Sequence, residues 1–343
     1  MAFTTINNGS LFMNTKLYTG NGANNHAITG VGFQPDFVWC KNRTSAQSHA
    51  LVNSVTGRNA LISNSTSAQY VMNAGQDFGT FDSDGFTVLV PNQLNSFNFN
   101  GGSLVSWNWK ANGTGSANTV GSINSTVSVN TTSGFSIVTY TSTTGTVGHG
   151  LGVAPKVILM KSTNYADQWT MGHASLPSWT YGLALNTTGA QDSNSAFWNS
   201  TAPTSTVFSQ GSWNDGYTKV AYCFAEKQGY SKFGSYVGNG SATDGPFIFT
   251  GFKPSFIMFK STSTTGGWEI HDNKRDPFNV SNKRLFPNLS NAEATEDYVD
   301  FVSNGFKFRT GDANGNTNGV SYIYMAFAEA PLVGTNNIPA NAR

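Results

Sequence analysis

Apolar and polar residues alternate with a period of two along most of this chain. After Gly134, Phe135, Ile137 and Thr139 fall on one side, and Ser136, Val138 and Tyr140 on the other. Phe86, Val88 and Val90 alternate with Thr87 and Leu89, and Phe306 and Phe308 flank Lys307. Such alternation marks strands with one packed face, and an aromatic content of 13%, including 25 Phe, favours strands as well. In the first hundred residues the pattern predicts strands near 16–19, 26–31, 37–41, 50–53, 60–62, 85–90 and 104–110. Helical periodicity is almost absent. Residues 290–300, with Glu293, Glu296 and Asp297, predict a short helical turn, and the equivalent stretch after Asn64 is expected to do the same.

The strand pattern is written three times. Residues 32–38, built on Gly32, Pro35 and Phe37, return as 152–158 on Gly152, Pro155 and Val157, and as 251–257 on Gly251, Pro254 and Phe256. A second landmark carries Leu61 and Asn64, then Leu183 and Asn186, then Leu285 and Asn288. A third is the apolar strand 105–109, echoed at 220–224 and 323–327. The landmarks keep their order and nearly keep their gaps, as expected of tandem copies of one module. Sheets with an apolar face need a partner layer. With helices lacking, that layer is a second sheet. The predicted fold is therefore all-β, with three tandem β-sandwich modules of the jelly-roll kind. A propeller would need four or more shorter blades.

The expected organisation is an attachment segment (1–15), module one (16–111), a flexible Gly/Asn/Ser linker (112–122), module two (123–227), module three (228–330) and a C-terminal arm (331–343). The short join at 226–230 predicts a rigid pair of modules two and three, with module one packed separately. Proline cannot donate to a ladder, so Pro35, Pro155 and Pro254 are expected at strand mouths. Lys41, Lys161 and Lys260 close the following strands at one register, either facing solvent or paired with an acid of their own module.

Charge is sparse: 11% of residues, with 19 basic against 18 acidic and a net charge of +1, where about a quarter is usual. That balance gives nucleic acid nothing to bind. No apolar stretch approaches membrane-spanning length, and the first residues lack a secretory pattern. Cys40 and Cys223 are expected reduced and buried. Catalysis finds no support. No carboxylate pair recurs in all three modules, and motifs for a metal helix, a nucleophile elbow or a phosphate loop are missing. His49, His173 and His271 fall at similar points of the three modules, with His26 and His149 before the first two prolines, and all read as structural imidazoles. Asp82 and Asp84 before Gly85 imitate a calcium loop, but the third copy, Asn304-Gly305, loses the carboxylates, so both read as hairpin turns. No catalytic residue, metal or cofactor is predicted. The turn aromatics Trp179, Trp213 and Trp268, with Asn214 and Asp215, are the candidate carbohydrate-binding residues; plugs for the sandwich ends are the competing reading.

Several runs together resemble a known family: Lys-Leu-Tyr-Thr-Gly-Asn-Gly at 16–22, Trp-Asn-Trp-Lys-Ala at 107–111, Gly-His-Gly-Leu-Gly-Val-Ala-Pro at 148–155, Ala-Tyr-Cys-Phe-Ala-Glu at 221–226, Lys-Phe-Gly-Ser-Tyr at 232–236 and Tyr-Met-Ala-Phe-Ala-Glu at 324–329. They are similar to virion- and tail-associated structural proteins of marine tailed bacteriophages, some described as concanavalin-like sandwiches, and this likeness implies that the β-sandwich modules are lectin-like. The resemblance implies a virion protein assembled in the host cytoplasm and supplies no site residues. The expectation is a tail-fibre or appendage component acting in host attachment, with a capsid decoration or head-fibre protein and a host-polysaccharide-binding module as alternatives. Its partners would be other virion proteins, a host surface glycan and further copies of itself, as a trimer; nucleic acid and membrane insertion are not expected.

Overall fold

In the computed structural model, which describes residues 4–334, nearly every element is a strand. The first module holds β1 (Met13–Thr19), β2 (His26–Thr29), β3 (Phe37–Asn42), β4 (Ala50–Asn53), β5 (Gly57–Ile62), β6 (Phe78–Asp82), β7 (Gly85–Val88), the short helix α1 (Asn95–Asn98) and β8 (Ser103–Trp109). The second holds β9 (Ser116–Asn118), β10 (Ser125–Asn130), β11 (Phe135–Thr141), β12 (Gly145–Gly148), β13 (Val157–Ser162), β14 (Thr170–His173), β15 (Tyr181–Ala184), β16 (Asp192–Ser193), α2 (Ser195–Trp198), β17 (Val207–Gln210) and β18 (Thr218–Phe224). The third holds β19 (Ser231–Val237), β20 (Phe247–Phe249), β21 (Phe252–Ser261), β22 (Glu269–Asp272), β23 (Ser281–Arg284), β24 (Ala294–Val302), β25 (Gly305–Phe308) and β26 (Ser321–Pro331).

One antiparallel strand order recurs. It reads β1-β8-β3-β4 in the first main sheet, β11-β18-β13-β14 in the second and β19-β26-β21-β22 in the third. A smaller sheet faces each: β2-β7-β6, β12-β17 and β20-β25-β24-β23. Two expectations fail locally. Residues 294–302 are strand β24, because Val299 and Phe301 are needed as partners for Phe308 and Phe306 of β25; tertiary pairing outweighs the acidic, helix-like composition. The stretch after Asn64 is likewise not helical, and the two short helices lie elsewhere.

Both faces of each main sheet are buried. On β3, Val38 and Cys40 point into the module's own sandwich, while Phe37 and Trp39 enter a core shared by the whole molecule. On β13, Ile158 and Met160 point inward to the sandwich, and Val157 and Leu159 into the shared core. The shared core is aromatic at its centre. Trp109 and Phe224 end strands β8 and β18, Phe327 holds the equivalent position within β26, and the three rings meet pairwise at 6.4, 5.8 and 5.9 Å. Three equivalent side chains in mutual contact define a pseudo-three-fold axis.

Contacts around that axis close on themselves. Gln69 N donates to Thr163 O (2.8 Å), Gln191 N to Thr262 O (2.9 Å) and Glu293 N to Arg43 O (2.8 Å), running from module one to two, two to three and three to one. Trp169 Nε1 donates to Ile62 O (2.8 Å) and Trp268 Nε1 to Ala184 O (3.0 Å). In the third place stands His49, whose Nδ1 accepts from Trp39 Nε1 (2.9 Å) and whose Nε2 faces the Phe286 carbonyl without completing a hydrogen bond. A further cycle joins Asn53 Nδ2 to the Tyr222 hydroxyl (3.0 Å), His173 Nε2 to Tyr324 O (3.2 Å) and Asp272 Oδ2 to Trp107 Nε1 (3.0 Å).

The expected rigid pair with a separate first module is therefore corrected: all three modules interlock in one ring. The stretch 112–122 is tied down as well. It carries β9, paired with β10, and Asp36 accepts from Ala111 N (2.7 Å) and Gly113 N (2.9 Å). Nor are residues 4–15 a free attachment segment. Ile6 is buried in the shared core, Thr4 Oγ1 donates to Gln228 O (2.7 Å), and Phe12 packs edge-on against Tyr230. The segment thus straps the last module to the first. Of the C-terminal arm, Leu332 N donates to Gly251 O (3.3 Å); residues 335–343, including Ile338, lie outside the described part.

Candidate functional site

The landmark residues are architectural. Asn64, Asn186 and Asn288 accept the backbone N–H of His49, Trp169 and Trp268 at 3.2, 2.9 and 2.9 Å, each pinning the approach to an equivalent strand. After Pro35 and Pro155, Asp36 N and Lys156 N donate to the carbonyls of Trp109 and Phe224. Pro254 lies within β21 at a bulge, where Ser255 Oγ takes over by donating to Phe327 O.

Lys41, Lys161 and Lys260 are not on a solvent edge. All three are buried, because they lie on the strand face that meets the shared core. Lys161 Nζ pairs with Asp167 (2.7 Å), as one of the two readings had it; Lys260 Nζ is held by Ser261 O (2.8 Å), and Lys41 by carbonyls including Ser290 O of module three. Burial lowers all three amines, Lys41 and Lys260 to about 8.

Of the candidate sugar-binding residues, Trp268 is corrected outright: it is 1% exposed and spends its N–H on Ala184 O, so it cannot offer a face to a ligand. Trp179 is half-buried and packs edge-on against Trp198 at 5.6 Å, over Gly172, where any Cβ would lie 2.5 Å from its ring. Trp213 is half-buried against Phe197 at 4.9 Å. Both help to close the outer sandwich of module two. Asn214 turns inward to Asp167 Oδ2 (3.0 Å), and Asp215 remains exposed.

Beside this loop the structure brings together groups that the sequence did not single out. Tyr165 and Tyr217 stack at 3.9 Å with rings 17° from parallel, and Tyr165 is 39% exposed. Beneath them sits a buried charge cluster. Asp167 accepts from Lys161 Nζ, Ser162 Oγ (2.6 Å) and Asn214 Nδ2, while Lys161 Nζ also reaches Tyr165 O (3.2 Å). Lys219 Nζ holds Trp213 O, and burial pushes this amine down to about 8 against the opposing pull of Asp167. The same positions elsewhere carry Gln47 and Gly266 for Asp167, and Leu104 and Tyr322 for Lys219. That departure from the repeat was the available signal.

Module three buries a second polar cluster. Glu269 is gripped by Arg284 through Nε (3.0 Å) and Nη2 (2.5 Å), with Tyr298 and His271 beside it. At the junction of modules three and one, Arg275 bridges Asp272 (2.6 Å) and Glu293 (3.1 Å), and Glu293 also binds Arg43 (2.7 Å). Each of these three carboxylates is matched by a guanidinium, and the Arg43–Glu293 pair fastens module one to module three. The histidines are backbone-bonded at His149 and His173, and burial lowers both. His173 is equivalent to Asn53 and Asp272 rather than to His49, since they pair with Val157, Phe37 and Phe256. Among the described residues, no three His, Cys, Asp or Glu side chains converge as a metal site. Asp84 instead accepts from Gly30 N and Gly32 N (2.9 and 2.6 Å) at its hairpin turn. Cys40 and Cys223 are buried free thiols.

Residues 8–331 match a domain of unknown function (DUF7483), and the chain belongs to that family. Neither the curated proteins nor the solved structures include a match to it.

Proposed function

We propose that this DUF7483 chain is a non-enzymatic structural and adhesive protein of a bacteriophage particle, a component of a tail fibre or appendage assembled in the host cytoplasm. The observation that carries the structural part is the closed ring. Three sandwiches share one aromatic core, with cyclic hydrogen bonds across every junction, so the chain behaves as one stiff body. Its buried acids are committed to arginines, to Lys161 or, at Asp36 and Asp77, to backbone N–H groups, and its sparsely charged surface suits contact with many neutral neighbours. The phage part rests on the sequence resemblance. An intrachain ring also supplies the burial that a homotrimer would otherwise provide, so this reading no longer calls for further copies of the chain.

The pseudo-three-fold axis favours one second reading, a capsid decoration or head-fibre protein seated on a local three-fold position. Quantitative mass spectrometry of purified particles separates the two. A handful of copies per particle supports the tail, copies in the tens or hundreds support the head, and absence from particles defeats both.

A further inference from the structure

We propose that the outer tip of module two is a binding site for a neutral glycan, with a hexopyranose unit of a polysaccharide seated on the Tyr165–Tyr217 pair. The proposal deepens the adhesive part of the reading above and rests on it. In the stacked pair Tyr165 offers an exposed aromatic face, and Tyr217 supports it from behind at 3.9 Å. A sugar's C–H face packs on such a surface, while its hydroxyls need donors and acceptors at the rim. These stand beside the pair. Asn164 is exposed and uses its Oδ1 on Thr218 N (2.9 Å), leaving its amide N–H groups directed to solvent, and the exposed Asp215 carboxylate lies two residues before Tyr217. Thr218, next in the chain, forms one wall of an open groove of about 290 Å³ that Asn124, Thr126, Thr139 and Thr141 also line.

The second observation is the foundation. Surface loops rarely sit on buried charges, yet Lys161, Asp167 and Lys219 together fix Tyr165 O, Trp213 O and the Asn214 side chain. The loops carrying both tyrosines are therefore held in place before any ligand arrives, which lowers the ordering cost of binding. Modules one and three keep the equivalent buried lysine but lack this cluster. Asp215 at the rim disfavours an anionic sugar.

The test is titration calorimetry of the full chain with linear hexasaccharides of glucose, mannose and galactose, and with a polyuronate hexamer as the like-charge control. At least one neutral hexasaccharide should bind, and Tyr165→Ala should weaken it by roughly three- to ten-fold, the range expected for one aromatic contact. Melting temperature should fall by only about 1–2 °C in that variant, because one stacked pair worth about 1 kcal/mol is lost from a chain of this length. Trp179→Ala should keep the wild-type affinity. Binding of none of the neutral sugars at millimolar ligand, binding of the polyuronate alone, or unchanged affinity in Tyr165→Ala would each overturn the site. The result is separable from particle mass spectrometry: a protein that binds glycan but is missing from particles keeps this site and loses the virion reading.

Discussion

Replacing Phe327 by alanine tests whether the three modules unfold as one. Phe327 is 2% exposed and touches rings from every module: Trp109 at 5.8 Å, Phe224 at 5.9 Å, and Tyr230, Phe233 and Phe256 at 5.9, 5.7 and 6.0 Å. A cavity at such a site costs about 3–5 kcal/mol. If the 343 residues melt together, the unfolding entropy is about 0.7 kcal/mol/K, and a loss of about 4 kcal/mol lowers Tm by about 6 °C. A module of roughly 100 residues melting alone would have an entropy near 0.2 kcal/mol/K, and its Tm would fall by about 20 °C. Differential scanning calorimetry distinguishes the cases. The ring predicts a single endotherm in the wild type and a single endotherm, modestly shifted, in the variant. Separate transitions, with only the one from module three displaced, would refute the reasoning.

Two further predictions concern buried ionisable groups. Burial lowers His173 to about 4, so between pH 6.5 and 4 the unfolded chain binds a proton that the folded chain refuses, and stability falls as pH falls, by about 3 kcal/mol in full. His173→Asn, the residue module one uses at this position, should flatten the acid side of a Tm-against-pH curve; an unchanged slope would contradict it. Lys260, at about 8, costs stability while it is charged, so Lys260→Met should raise Tm at pH 7 by the equivalent of about 1–3 kcal/mol. The variant should also lose part of the wild type's gain between pH 8 and 10.4, and a lower Tm at pH 7 would count against this account.

Much of the architecture was legible because the repeat preserved geometry rather than chemistry. The Asn at 64, 186 and 288 stood out because one backbone bond must be made three times, and the strand that ends at Asn53 was legible to the residue. The ring was not legible. Phe37, Trp39 and Lys41 alternate with Val38 and Cys40, which shows that the strand has two faces but not that the second face meets other modules. Lys41 therefore read as facing solvent or paired with an acid of its own module, when its whole face is buried and carbonyls hold its amine. Histidine identity misled in the same way. Asn53, His173 and Asp272 each lie 18 residues after their proline, yet they share no chemistry, and only the cyclic contacts show that they do one job. At the module-two tip, Asp167 and Lys219 looked like ordinary charges, because nothing in the sequence says that Lys161 and Lys219 share one acid.

The closed ring is the central claim, and its junctions can be read one amide at a time. Residue-resolved hydrogen exchange should find the amides of Gln69, Gln191 and Glu293 protected to a similar degree, because each donates across a different junction at 2.8–2.9 Å. Glu293 is the decisive one, since modules three and one have no chain connection between them. Slow exchange at all three amides is the predicted result. Fast exchange at Glu293 with Gln69 and Gln191 protected would mean an open row of modules, and would contradict the ring.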